Sequence, residues 1–396
     1  MLMLFRRVFT LSIGLVPLLA FYSALAIELS QLSFSPAPQL AAKSYLLIDA
    51  ESRMVIASKN ADKAHAPASL TKLMTAYLLE QEITRGHINL EDKIYISPKA
   101  WRAVGSRMFV DVDSKVPVID LLKGIIIQSG NDASVAVAEA IGGSEAGFAQ
   151  MMNQQAQKLG MQNTQFKNAT GLPEEGHYTT ANDLALLARA VIYGFPEFYK
   201  MYSEKYFTYN KIKQANRNSL LWRDKSVDGL KTGHTEEAGY NLVASAKRQN
   251  MRLISIVLGT KNEKERAQMS QKLLDYGFRY FDSYELYQPN TQFHEAEIWF
   301  GEENKVILGI NKAMEITLPK GSQSSVQIHI KTPKRLYAPI TKDQVLGEVV
   351  IKLKNQIIAT KPLVAFTTIK EAGFIKKNWH KIRLFIASFW NASDKQ

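Results

Sequence analysis

The chain reads as an α+β protein in three successive parts: an antiparallel sheet built around a helical cluster, a small all-β domain, and an amphipathic terminal helix. Three observations lead to this reading. Strand-like runs occupy both ends of residues 40–286 with helical patterns between them, so one sheet is expected to form from both ends around the helices. Residues 288–368 hold only short alternating runs separated by Gly, Pro and Asn, the pattern of an all-β unit. Residues 369–391 gather apolar side chains on one helical face.

Taken in order, Arg6 and Arg7 precede an apolar stretch from Val8 to Tyr22, and Ala24-Leu25-Ala26 places small residues two apart. This is the layout of a secretory signal peptide over residues 1–26; an uncleaved anchor is the alternative, but the apolar core is short for a membrane span. The mature protein is therefore expected outside the cytoplasm. Tyr45 to Asp49 and Met54 to Ala57 flank a turn and read as a hairpin. Leu70 to Ile83, Val118 to Gln128 and the alanine-rich Asp132 to Ile141 carry helical patterns, and Thr180 is a polar cap for a helix from Leu184 to Ile192. After Trp222 the pattern turns to strand at Asp228 to Thr235, Tyr240 to Lys247 and Arg252 to Leu258, and a helix from Lys264 to Tyr276 closes the unit. In the β domain, strands are expected at Glu297 to Phe300, Val306 to Ile310, Glu315 to Leu318, Val326 to Ile330, Val345 to Leu353 and Gln356 to Ala359.

Composition excludes several classes. With 46% hydrophobic and 22% charged residues over 396 positions, the chain can build a sizeable core and is neither disordered nor fibrous. It has no cysteine, so a nucleophile must be an oxygen or an amine. The net charge of +12 is less telling than its distribution. Arg6 and Arg7 fall in the leader, and residues 369–396 carry six basic against two acidic residues, which leaves +6 on the body of the chain. No basic run interleaved with aromatics accompanies that surplus, so a nucleic-acid partner is not expected. His294 and His329 have no ligand-like spacing, and neither a metal nor another cofactor is expected.

The chemistry concentrates in three short segments. Ser69-Leu70-Thr71-Lys72 follows Pro67 at the head of the first helix, where residues three apart share a face, so Lys72 can set its amine beside the Ser69 hydroxyl. A serine is a poor nucleophile until a base takes its proton, and a lysine kept neutral by burial and by other cations can do so. By itself the pattern is weak, since most Ser-x-x-Lys pairs are solvated helix faces. Ser129-Gly130-Asn131 lies between two helical segments, and Lys231-Thr232-Gly233 lies inside a strand, where Thr232 can hold a carboxylate, Lys231 adds positive field and Gly233 lets a substrate backbone lie close. In this order, 60 and 102 residues apart, the segments match the three-motif set of penicillin-binding proteins and class A β-lactamases, with Gly130 in place of the Asp of the middle motif.

With Gln128-Ser-Gly-Asn-Asp-Ala133, Arg217-Asn-Ser-Leu-Leu-Trp222, Lys231-Thr-Gly-His-Thr235 and Gly239-Tyr-Asn-Leu-Val-Ala-Ser-Ala246, the sequence resembles the low-molecular-mass penicillin-binding proteins that are serine-type D-alanyl-D-alanine carboxypeptidases. The likeness runs from about Ser44 to Tyr280 and, in architecture, through the β domain and the terminal helix. It implies a penicillin-binding, β-lactamase-like transpeptidase fold that removes the terminal D-alanine from peptidoglycan stem pentapeptides and is acylated by β-lactams. It further implies that Ser69 attacks, Lys72 is the acylation base and Ser129 relays the proton to the leaving amine. The N–H groups of Ser69 and His234 would form the oxyanion hole, Asn131 would orient Lys72 and the substrate amide, and Thr232 and Arg266 would hold the substrate carboxylate. A solvated helix arginine is the plainer reading of Arg266, and His177 and Arg217 remain cleft-lining candidates.

Rival readings are a class A-like β-lactamase, a DD-endopeptidase using the same residues, and a non-catalytic wall-binding scaffold. The first calls for a Glu-x-x-Leu-Asn run between the second and third motifs, and none occurs between Asn131 and Lys231. The intact Ser69, Lys72, Ser129 and Lys231 argue against the last. In the tail, Ile375, Trp379, Ile382, Ile386, Phe389 and Trp390 share one helical face while Lys376, Lys377, His380 and Lys381 lie opposite. A helix of this kind suits an anionic membrane surface, which with the leader points to a peripheral protein on the periplasmic face of the inner membrane. The alternative is that the apolar stripe packs on the protein's own β domain.

Overall fold

The computed structural model describes residues 36–393. The leader expected over residues 1–26 lies outside the described residues, as do the side chains of Phe389 and Trp390.

The first domain is organised by a five-stranded antiparallel sheet in the order Val55–Lys59, Ser44–Asp49, Met251–Thr260, Gly239–Arg248, Val227–Thr235. The amino-terminal hairpin thus pairs with a strand far along the chain, Leu46 facing Ile256, 210 residues later. Side chains alternate across a strand, and here both faces are covered. Leu46, Ile48, Ile254 and Ile256 enter the core shared with the helical cluster. Their neighbours Tyr45, Leu47, Leu253 and Val257 enter a second core with Leu273 and Leu274 of the helix Glu263–Tyr280.

Within the cluster the helix Lys72–Thr84 is central: every residue from Lys72 to Glu80 is buried, so it is enclosed on all sides rather than amphipathic. Around it lie Asn131–Gly142, Glu145–Leu159 and Ala181–Gly194. Ser144 and Thr180 cap the latter two, each hydroxyl accepting a main-chain N–H three residues on. The helix Glu145–Leu159 is absent from the sequence reading because its Gln- and Asn-rich composition weakens the apolar period. Two short ribbons, Lys93–Tyr95 with Lys115–Pro117 and Tyr206–Tyr209 with Ile212–Ala215, were likewise not anticipated.

The boundary between the two domains differs from the expected one. Phe281–Tyr287 continues directly from the helix Glu263–Tyr280 and pairs with Met314–Pro319, so it belongs to the β domain, whose start moves from 288 to Phe281. The other strands form a six-stranded sheet in the order Val326–Lys331, Val345–Leu353, Gln356–Ala365, Lys305–Ile310, Thr291–Trp299, Leu336–Tyr337. No linker separates the domains: one apolar core runs from Leu253 and Leu273 to Ile316 and Leu318. The Ser283 hydroxyl donates to Asp49, and Ser52 Oγ lies 2.5 Å from Thr317 Oγ1.

The terminal helix, Phe374–Ser393, seats on the β domain with its polar side. His380 is buried, and its Nδ1 accepts the Phe300 N–H at 2.7 Å. Lys376 donates to the Glu302 carbonyl, and Arg383 lies over the Trp299 ring. The sequence reading put His380 opposite the apolar stripe, and it is that polar side which meets the β domain. The apolar side faces outward, with Ile375 86% and Trp379 59% exposed. His380→Ala leaves the Phe300 N–H without its acceptor and should weaken seating of the helix by about 1–3 kcal/mol. Hydrogen exchange across residues 374–386 should then rise with the melting temperature of the first domain unchanged.

Candidate active site

The nucleophile segment is a tight turn rather than the first turn of a helix. Ala68–Thr71 is a 3-10 turn, and the α-helix begins at Lys72. Ala68 sits in the left-handed region at φ 48°, which costs a residue with a Cβ on the order of 1 kcal/mol and must be held by its surroundings. Two glycines do the holding. A Cβ on Gly171, itself at φ +82°, would lie 1.8 Å from the Ala68 carbonyl oxygen. A Cβ on Gly233 would meet the Leu70 nitrogen and the Pro67 oxygen at 3.1 Å. The close approach that Gly233 permits is therefore to the protein's own turn, where the sequence reading had assigned it to substrate.

The turn brings Lys72 Nζ within 3.2 Å of Ser69 Oγ, and the same amine donates to the Thr170 carbonyl at 2.6 Å. Lys72 is 1% exposed. Burial lowers its pKa from 10.5 to about 7, opposed by the Asp132 carboxylate and aided by the Arg217 charge. The Thr170 carbonyl is fixed by a side-chain network: Asn168 Oδ1 accepts from the Thr170 N–H, the Thr170 hydroxyl and the Gly171 N–H. Thr75 donates to the Ala169 carbonyl one turn along the central helix. Thr71 Oγ1 lies 3.0 Å from Nε2 of buried His177, whose pKa burial lowers to about 4, so that imidazole is neutral at physiological pH.

Ser129 is delivered by a break in helix geometry. The helix Val118–Lys123 widens into a π-helix over Gly124–Gln128, and Ser129 ends it in the left-handed region at φ 66°. Asp132 clamps the facing loop by accepting the N–H groups of Met108, Phe109 and Val110. The Ser129 hydroxyl is buried with no hydrogen-bond partner among the described residues, and so is Asn131 Oδ1. Asn131 Nδ2 donates to the Val104 carbonyl, so the partners of the Lys72 amine are Ser69 and Thr170 rather than Asn131.

The third wall is the edge strand Val227–Thr235, in which Lys231, Thr232 and Gly233 are buried. The Lys231 amine donates to the Thr232 carbonyl, and burial drives its pKa well below the usual lysine value, reinforced by Lys72, Arg217 and Arg266. The His234 side chain is exposed and stacks on Tyr240, ring centroids 3.9 Å apart. Arg266 is not a solvated helix arginine: it is 5% exposed, bonded to Glu263 and to the Arg217 carbonyl, and lies over Tyr240. Arg217, left as a candidate by the sequence, donates to the Gln128 carbonyl and lines the cleft.

These walls enclose a cleft of about 370 Å³ lined by Ser69, Ser106, Asn131, Thr170, Arg217 and His234 among others. Chemically it offers a hydroxyl beside a desolvated amine, two orphaned polar groups and a cluster of cations. That set fits acyl transfer from a substrate bearing a carboxylate. Glu174, the carboxylate of the loop after the second motif, bonds Asn168 and lines a separate cavity with His177, so the cleft loop meets Lys72 through a main-chain carbonyl. His177 accordingly supports the turn from behind. Because Gly171 touches the Ala68 carbonyl, Gly171→Ala should destabilise the protein by about 3 kcal/mol. It should also slow acylation by a fluorescent penicillin at least tenfold at temperatures where circular dichroism shows the fold intact.

Comparison with known proteins identifies the family. Residues 31–262 match the family model described as D-alanyl-D-alanine carboxypeptidase, and residues 281–371 match the penicillin-binding protein 5 C-terminal domain. The chain is 41% identical over 377 residues to the D-alanyl-D-alanine carboxypeptidase DacA of Haemophilus influenzae, covering 93% of this chain and 96% of that protein. The fold is similar to penicillin binding protein 5 from Haemophilus influenzae, with a TM-score of 0.82 and 42% identity over 85% of this chain and 100% of that one. It is also similar to penicillin-binding protein D2 of Listeria monocytogenes in its ampicillin-bound form, with a TM-score of 0.57 and 33% identity over 62% of this chain and 100% of that one. The matches cover most of the chain, and it therefore belongs to the D-alanyl-D-alanine carboxypeptidase family.

Proposed function

We propose that this cleft removes the terminal D-alanine from peptidoglycan stem pentapeptides through an acyl-enzyme on Ser69. The observation that carries the reading is the Lys72 amine, buried and 3.2 Å from Ser69 Oγ. In its neutral form the amine takes the hydroxyl proton as Oγ attacks the carbonyl between the two D-alanines. The oxyanion sits against the N–H groups of Ser69 and His234. Collapse breaks the C–N bond, and the proton held by Lys72 passes through Ser129 to the departing amine, which leaves Lys72 neutral and Ser129 a hydroxyl. Water then attacks the ester while Lys72 takes its proton, and Lys72 returns that proton to Ser69 Oγ as the ester bond breaks. Thr232 and Arg266, with Arg217 beside them, hold the terminal carboxylate. A β-lactam opens on Ser69 by the same first step. It is released slowly, because the loop facing Lys72 presents the Thr170 carbonyl where a lactamase would present a glutamate.

The terminal helix is read as a membrane-surface anchor on the periplasmic face of the inner membrane. What supports it is the outward apolar side, on which Phe374, Ile375, Trp379, Ile382, Phe385 and Ile386 are all exposed. Among the described residues no helix is long and apolar enough to cross a membrane. The β domain is then a spacer between that surface and the cleft.

Two outcomes follow. Mass spectrometry after benzylpenicillin treatment should locate the adduct on Ser69. The acylation rate should fall about tenfold per pH unit as pH drops below about 7, since a lysine with a lowered pKa loses its free-base form through protonation there. An adduct elsewhere, or a rate flat down to pH 5, would falsify the assignment. For the tail, removing residues 374–396 should shift the mature protein from the membrane to the soluble fraction, with hydrolysis of small peptides within about twofold of wild type. Lys376, Lys377, Lys381 and Arg383 should each add on the order of 1 kcal/mol near anionic lipid, so high salt weakens binding without abolishing it.

A further inference from the structure

We propose that Tyr206 and Trp222 form a stacking platform beside the cleft for a hexosamine ring of the glycan strand that bears the stem peptide. The proposal rests on the stem-peptide reading above and extends the substrate from peptide to polymer. Two large aromatic rings stand in water at one place: Tyr206 is 50% and Trp222 42% exposed, edge to face with centroids 5.9 Å apart. Their neighbours Phe207, Leu220 and Leu221 are buried, so the local core is already filled and the two rings remain outside it. Sugar rings present flat C–H faces edged by hydroxyls, and an aromatic ring with a polar tip suits such a ligand. Lys213 Nζ lies 4.4 Å from the Tyr206 centroid and Lys205 Nζ 5.9 Å from that of Trp222. These cations complement the free carboxylates of a stem peptide passing the platform.

The platform is continuous with the cleft wall. Tyr206 pairs with Ala215, and the Asn216 N–H donates to the Lys205 carbonyl at 2.8 Å. The next residue is Arg217, which lines the cleft. Trp222 follows five residues later, at most about 18 Å along the chain and less because Leu220–Arg223 is helical. Between the scissile bond and the sugar lie four stem residues, about 14 Å when extended. A peptide seated at Ser69 and leaving past Arg217 would therefore carry its sugar to a distance the platform spans.

The test has two arms. In the first, D-alanine release is measured from a disaccharide pentapeptide and from the free pentapeptide. Wild type should favour the disaccharide form about tenfold in kcat/KM. Trp222→Ala and Tyr206→Ala should each lose that preference while cleaving the free pentapeptide within twofold of wild type. Trp222→Phe, which keeps a ring, should retain at least half of it. In the second arm, binding to glycan strands stripped of stem peptides is measured by co-sedimentation and should drop about tenfold in both alanine variants. This arm needs no hydrolysis: if wild type cleaved neither peptide the stem-peptide reading would fall, and the stripped glycan would still decide the platform. Equal preference and equal glycan binding in wild type and variants overturns the proposal. So does an equal loss on the free pentapeptide, or a loss confined to binding of phosphatidylglycerol vesicles.

Discussion

The structure of the first domain turns on keeping one amine out of water beside a hydroxyl. A buried ammonium without an adjacent counter-ion is costly, so a lysine in that position sheds its proton near neutrality instead. Lys72 meets this condition through its surroundings: it starts a helix enclosed on all sides, and among the described residues its amine finds acceptors only in Ser69 Oγ and the Thr170 carbonyl. Asp132 raises the Lys72 pKa through its charge, yet its oxygens are taken up by the N–H groups of the loop from Met108 to Val110. Were that carboxylate a direct partner of the amine, it would hold the proton and remove the base.

Much of the remaining architecture secures this arrangement. The strained turn at Ala68 is wedged between Gly171 and Gly233, so the loop after the second motif and the edge strand both fix the position of Ser69. The edge strand is in turn pinned at its start. Arg252 bridges to Asp228 and to the Tyr199 hydroxyl, and the Asn218 amide donates to the Gly229 carbonyl. Arg217 then adds like charge that favours neutral Lys72, and the same guanidinium bears on Lys231 and Arg266, which is unfavourable until a carboxylate enters. Arg217 thus lowers the Lys72 pKa from the same cleft wall that carries the other cations.

The second domain is packed into the first rather than hung from it. It continues the core beneath the helix Glu263–Tyr280, so the helix that supplies Arg266 is braced on the β domain from the other side. Its outer edge receives the polar side of the terminal helix through His380, which turns the apolar side away from the protein. Cleft, β domain and apolar helix therefore form one continuous body.

Local pattern was enough to specify the sheet built from both chain ends, the all-β region, the one-sided terminal helix and the three motif segments that meet at the cleft, because alternation, helical period and fixed spacings are properties of neighbouring residues. It was also enough to bring Ser69 and Lys72 together, since three residues of a turn do that locally. What depends on distant partners was not legible. Thr170 reaches Lys72 from 98 positions away, and its role lies in a main-chain carbonyl that side-chain identity does not reveal. The left-handed Ser129 follows from a π-helix whose sequence reads as an ordinary helix. Gly233 reads as room for substrate until the turn is seen packed against it, and the helical face that carries His380 does not show that the β domain will bury that imidazole. The boundary at Phe281 was set by strand pairing with Met314–Pro319, a long-range contact. Sequence determined which groups could react, and only tertiary packing decided which of them lose water, because desolvation is a property of the whole enclosure and not of any segment.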